Sequence, residues 1–280
     1  MTLVMPIGRM LVVMLVSLAV AGRAAAQPSM IDVMTRHGVE LPGRSFEAAF
    51  DQGLAPSVPV TPGSFATPLA MLAAGTGGDR IAAAYAFGIL AGRSAKATSP
   101  QELAAAGQPL LQMIGSDDRR SRIAAARVAG RVFAAPFDPS ATRPVVPAGL
   151  IDGLFALWNR SGEFDQLAAM DALGLVREAT AVSALIERYQ FYRDDGKRAL
   201  AGGAIEALAR IGEPAAANLV RLVAADRWAE GNDPAALAVA FARERLLRDG
   251  SIVIIQQALN DRSRRAQARG YLDELGAPVP

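Results

Sequence analysis

The amino-acid sequence predicts an all-α fold: an α-solenoid of about five to six stacked helix pairs, built from residues 64–280. Three observations carry this expectation. From Ser64 onward Ala, Leu and Arg dominate, and apolar residues recur at three- and four-residue spacing without a sustained strand-type alternation. Gly88, Gly130 and Gly174 stand inside alanine-rich segments, and Ala209 takes the same place in a fourth, so successive slots lie 42, 44 and 35 residues apart. Short polar or proline-bearing corners separate the apolar segments.

The chain begins with a separate unit, residues 1–26. Arg9 supplies a positive start, Met10 to Gly22 is a 13-residue run without charge, and Ala24-Ala25-Ala26 offers small residues for cleavage before Gln27. This is the pattern of a secretory signal peptide. The run is shorter than the about 20 apolar residues of a bilayer span. The expected localisation is therefore periplasmic or secreted, in a bacterial source, with no membrane span after cleavage. Residues 27–63 form an N-terminal segment and linker rich in Pro and Gly. Within it Ser45 can cap a short helix through Phe50, and the prolines of 55–63 favour extended chain.

The repeat is visible when the alanine-rich segments are aligned. Ile81 to Leu90, Ile123 to Val132 and Leu167 to Val176 superpose with their glycines in register, and Ala204 to Gly212 adds a fourth copy. Two weaker copies follow around Ala240-Phe241-Ala242 and Tyr271-Leu272-Asp273. A mid-helix glycine costs about 1 kcal/mol against alanine, so three at one repeat position call for close helix packing. Alanine-rich composition alone is the competing explanation.

Partner helices fit between the copies. Ser99-Pro100-Gln101-Glu102 combines a serine cap, proline at the first helical position and glutamate at the third. That helix should run to Ile114 with a bend or break at Gly107-Gln108-Pro109. Residues 148–159, 179–192, 214–225 and 251–259 supply the other first helices; the last is β-branched, but its place in the repeat favours helix. Residues 134–147, with four prolines, read as a loop on one face. Asp117-Asp118 and Asp194-Asp195 precede helices and read as capping groups.

Composition excludes several functions. The chain has no cysteine and one histidine, His37, so thiolate metal sites, disulfides and multi-histidine centres are ruled out. No cofactor and no metal site is expected. The net charge of +2 comes from Arg9 and Arg23, leaving residues 27–280 formally neutral. Without a cationic excess, nucleic acid is not an expected partner.

Residues 165–184 (DQLAAMDALGLVREATAVSA) and 197–223 (KRALAGGAIEALARIGEPAAANLVRLV) resemble HEAT and HEAT-like repeats of the phycobilin-lyase type. The resemblance implies that the second helices line a concave surface that binds another protein. On it the outward polar positions are Arg127, Arg131, Asp171, Glu206, Arg210, Arg243 and Arg245. Trp228, beside Arg227 in an inter-helix loop, joins them as a residue type enriched in binding hot spots. An ordinary solvated face, with Trp228 closing the core, is the competing account of the same residues.

Arg36-His37-Gly38-Val39-Glu40-Leu41-Pro42 is similar to the Arg-His-Gly-x-Arg-x-Pro motif of histidine acid phosphatases, but Glu40 replaces the second arginine and no second histidine exists. No complete catalytic constellation is present, and Gly75-Thr76-Gly77-Gly78 lacks the lysine of a phosphate loop. Three functional readings result. The first is a non-enzymatic exported scaffold that binds a protein or peptide on a solenoid surface. The second is an envelope hydrolase or phosphatase using the segment around His37, and the third is a purely structural array.

Overall fold

The computed structural model describes Phe50 and residues 63–93, 98–136, 140–226 and 235–279. Among the described residues there are twelve α-helices and no strand. They are α1 (Ala66–Ala74), α2 (Gly77–Arg93), α3 (Pro100–Ile114), α4 (Arg119–Val132), α5 (Leu150–Trp158) and α6 (Glu163–Val176). A 3-10 turn at Ala179–Ala181 leads into α7 (Val182–Asp194), followed by α8 (Arg198–Ile211), α9 (Pro214–Ala225), α10 (Ala236–Leu247), α11 (Ile252–Ala258) and α12 (Arg265–Leu275). Packing is mainly between sequential neighbours. Each odd helix up to α11 packs on the even helix after it, and α2, α4, α6, α8 and α10 pack side by side in that order.

Local chemistry sets the helix starts. Ser99 accepts from the Glu102 amide at 3.2 Å while the Glu102 carboxylate accepts from the Ser99 amide at 2.8 Å, completing a capping box with Pro100 at the first helical position. Asp118 caps α4 by accepting from the amides of Arg120 and Ser121 at 3.2 and 3.1 Å. At the other acidic corner the Asp195 carboxylate pairs at 2.6 Å with Lys197, the residue that precedes α8. The β-branched run after Ser251 is helical, as α11.

Of the bend or break expected at Gly107-Gln108-Pro109, a break is absent: α3 is one helix through Pro109. A proline removes one helix hydrogen bond. Here buried Ala106, Leu110 and Met113 hold both halves against the core, and the Pro109 carbonyl accepts from Arg80 Nη2 at 3.3 Å. Gly107 lies against the ring of Pro147, which anchors that end of the 134–147 loop.

The glycine slots have a packing cause. A Cβ on Gly130 would stand 2.7 Å from Ala172 Cα, and one on Gly174 would stand 2.8 Å from Ala207 Cα. A Cβ on Gly88 would lie 3.2 Å from the methyl groups of Val128. Each slot thus meets the residue two positions before the next slot. The repeat seen in the sequence is a register of helix on helix. Small side chains at these crossings let the even helices approach closely, and Ala209 in the fourth slot is fully buried. The weaker C-terminal copies join through Phe241 and Tyr271, whose rings stack at 4.4 Å.

Candidate functional site

The even helices present matching stripes to one groove of about 690 Å³. On α4 these are Arg120, Ile123, Arg127 and Arg131, spaced three or four residues apart and so aligned on one helical face. On α6, Phe164, Leu167 and Asp171 repeat the spacing, and on α8 Gly203, Glu206 and Arg210 do so again. Ile81 and Tyr85 of α2 close one end. Gly203 is part of the shape, since a Cβ there would come within 2.9 Å of Leu167 Cδ2.

At one side of the groove Arg210 is buried and shared among three carboxylates. Its Nη1 meets Asp171, its Nη2 lies 2.7 Å from Glu206, and its Nε and Nη2 donate to Glu274 of α12 at 2.9 and 2.8 Å. Burial disfavours the Arg210 charge, but Glu206, Asp171 and Glu274 outweigh it and hold the guanidinium well above its ordinary value. Glu206 goes the other way for a carboxylic acid: burial raises it, with repulsion from Asp171 and Glu274 adding to the effect of burial and Arg210 opposing it. Burial, with the Glu206 charge nearby, also pushes the Tyr271 phenol well up.

At the α2 end Phe50, 1% exposed, packs against the groove-lining Tyr85, Arg127 and Arg131. Arg131 lies over its ring at 4.0 Å and donates from Nη1 to its backbone carbonyl at 2.7 Å. Arg127 lies at 5.7 Å from the same ring, and Tyr85 meets it at 5.2 Å in a tilted arrangement. Also in the lining, Arg119 lies over Phe164 at 5.5 Å, and Phe164 is 59% exposed. The lining therefore carries five guanidinium groups against the carboxylates of Asp171 and Glu206, with apolar surface between them. No serine, threonine or histidine is part of that lining, and among the described residues no cluster of metal-ligating side chains occurs.

The structure brings five of the sequence-nominated residues together here: Arg127, Arg131, Asp171, Glu206 and Arg210. One differs from expectation. Arg210 was expected to point outward and is instead buried, because three carboxylates from α6, α8 and α12 converge on it. Arg243 and Arg245 are not in the groove. Arg243 pairs with Asp249 at 2.7 Å just beyond its own helix, and Arg245 is partly buried near the end of α10. Trp228, His37, the signal segment and all of 27–62 except Phe50 lie outside the described residues. Sequence reasoning missed Arg119, Arg120, Ile123, Phe164, Tyr85 and Phe50. Arg120 and Ile123 were within reach, since they continue the Arg127/Arg131 stripe at helical spacing. No helix of the described residues is long and apolar enough to cross a membrane. No family model, no curated protein and no solved structure matches this chain.

Proposed function

We propose that the chain is an exported, non-enzymatic α-solenoid of HEAT-like helix pairs that binds a protein or peptide partner along the groove of its second helices. One observation carries the reading: four successive even helices each contribute side chains to a single groove, as a surface for an extended ligand requires. The groove combines apolar anchors with arginines, the residue types that concentrate binding energy in interfaces. The secretory pattern of residues 1–26 supports export.

The absence of native cysteine makes a direct test available. A cysteine at Arg120 or Ile123 is fitted with a photo-crosslinker, and so is one at exposed Leu222 on α9. Crosslinked adducts formed in the host at the groove positions but not at Leu222 support the reading. Equal labelling at all three, or none, sinks it. Fractionation of the host tests export independently.

A further inference from the structure

Phe50 reaches the core from upstream of the twelve-helix array and is separated from Gly63 by twelve residues of chain. Its surroundings are also unlike an ordinary core. Arg131 reads two features of it at once, stacking on the ring at 4.0 Å and binding the backbone carbonyl at 2.7 Å. Arg127 and Tyr85 flank the ring. Gly88 leaves the space the ring fills, since a Cβ there would stand 2.7 Å from Phe50 Cε2. A guanidinium over an aromatic face together with a donor to the adjacent carbonyl recognises an aromatic residue within a peptide, not an isolated ring.

We propose that the Tyr85, Gly88, Arg127 and Arg131 end of the groove is an aromatic-reading subsite for a peptide segment of acidic character, and that Phe50 holds it as an internal ligand which such a segment displaces. The acidic character follows from charge complementarity. Arg119 and Arg120 line the same groove as Arg127 and Arg131, whereas its two carboxylates, Asp171 and Glu206, are engaged by Arg210. The chain's own sequence has this chemistry, with Glu47 and Asp51 on either side of Phe50. This inference rests on the groove being a binding site, and it names what the site reads.

The test uses a fluorescent peptide copying residues 44–53, RSFEAAFDQG, and the full chain carrying Phe50→Ala. The peptide should bind that variant about tenfold more tightly than the unaltered chain, and a peptide with Phe50→Ala should lose about tenfold. Adding Arg131→Ala to the variant should cost a similar factor, and replacing Glu47 and Asp51 by their amides should weaken binding and its salt dependence. Equal binding to both chains overturns the proposal, as does no binding to a Phe50→Ala chain of unchanged helical circular dichroism. Should that variant not fold, a protease site introduced at residues 57–58 of the otherwise unaltered chain decides the matter. After cleavage of the folded protein, exchange of the N-terminal piece for the labelled peptide supports an internal ligand. A piece retained until the helices unfold makes Phe50 fixed core and overturns the proposal. Crosslinking from Arg120 with no aromatic selectivity would leave the groove as a binding site while removing this subsite.

Discussion

Arg122 and Asp165 face each other through two hydrogen bonds, Nε to Oδ1 at 3.0 Å and Nη2 to Oδ2 at 2.9 Å, with both side chains buried. They lie in the first turns of α4 and α6 and so join neighbouring repeats. Arg122 Nη1 also donates to the carbonyls of Ser116 and Asp117 at 3.0 and 2.7 Å, closing the corner that leads into its own helix. The hydrogen bonds that Arg122 donates to Asp165 hold its guanidinium above its ordinary value against the opposing effect of burial. Removing one partner strands the other. Asp165→Ala should cost about 3–5 kcal/mol in urea unfolding, whereas Arg122→Met with Asp165→Leu should recover most of that loss. A double variant as unstable as the single one would mean that the pair stabilises the fold in its own right.

Glycines inside the even helices should divide by what stands opposite them. Gly130→Ala gains helix propensity but places a methyl group against the α6 backbone, so it should destabilise by about 1–3 kcal/mol. Gly92→Ala in α2 and Gly270→Ala in α12 meet nothing within 4 Å and should stabilise by about 0.5–1 kcal/mol. Thermal midpoints of the three variants decide this. A loss of stability at all three sites would show that the packing register is not what places glycine at 130.

These contacts mark what was legible in the sequence. The array, its helix pairs and the glycine register were readable because each depends on contacts between adjacent repeats, and such contacts leave a period in the residues. A break at Pro109 was one of two outcomes that local propensity allowed, and it does not occur because buried flanks keep α3 in one piece. Five groove residues followed from the resemblance to known helical repeats, but Arg210 did not appear as buried, since its partner Glu274 lies 64 residues on in the weakest copy. Phe50 was beyond reach for the same reason. It meets Arg131 across 81 residues from a segment with no periodicity.

The Asp118 cap makes a pH-dependent prediction. Hydrogen bonds from Ser121, together with the Arg120 and Ser121 amides, lower the Asp118 carboxyl below its ordinary value of 3.8 despite some burial. A carboxyl lowered by folding stabilises the folded state above the unfolded value, and that contribution is lost as pH falls through the folded one. Asp118→Ala should therefore cost about 1 kcal/mol at neutral pH, while Asp118→Asn, which still caps, should cost much less. Both differences from the unaltered chain should shrink on acidification below 3.8, as urea unfolding at a series of pH values would show. A cost for Asp118→Ala that does not change with pH would separate the helix start from the carboxylate's charge.

Glu206 predicts the opposite slope. Its carboxyl is raised above the ordinary 4.5, first by burial and then by Asp171 and Glu274, because one Arg210 guanidinium serves three carboxylates. The folded chain thus keeps the Glu206 proton to a higher pH than the unfolded chain does. The stability this group contributes is present below the unfolded value and is lost as pH rises through the folded one. Glu206→Gln abolishes the titration while keeping an amide beside Tyr271. Its stability relative to the unaltered chain should rise steadily as pH climbs from the acid side of 4.5 towards neutrality. Arg210→Met should do the reverse, because it leaves Asp171, Glu206 and Glu274 facing one another without a counter-charge. That variant should be much less stable at neutral pH, and acidification should restore part of the loss by protonating the carboxylates. Parallel stability curves for Glu206→Gln and the unaltered chain would mean that Arg210 fully compensates Glu206, and that burial in this network carries no cost.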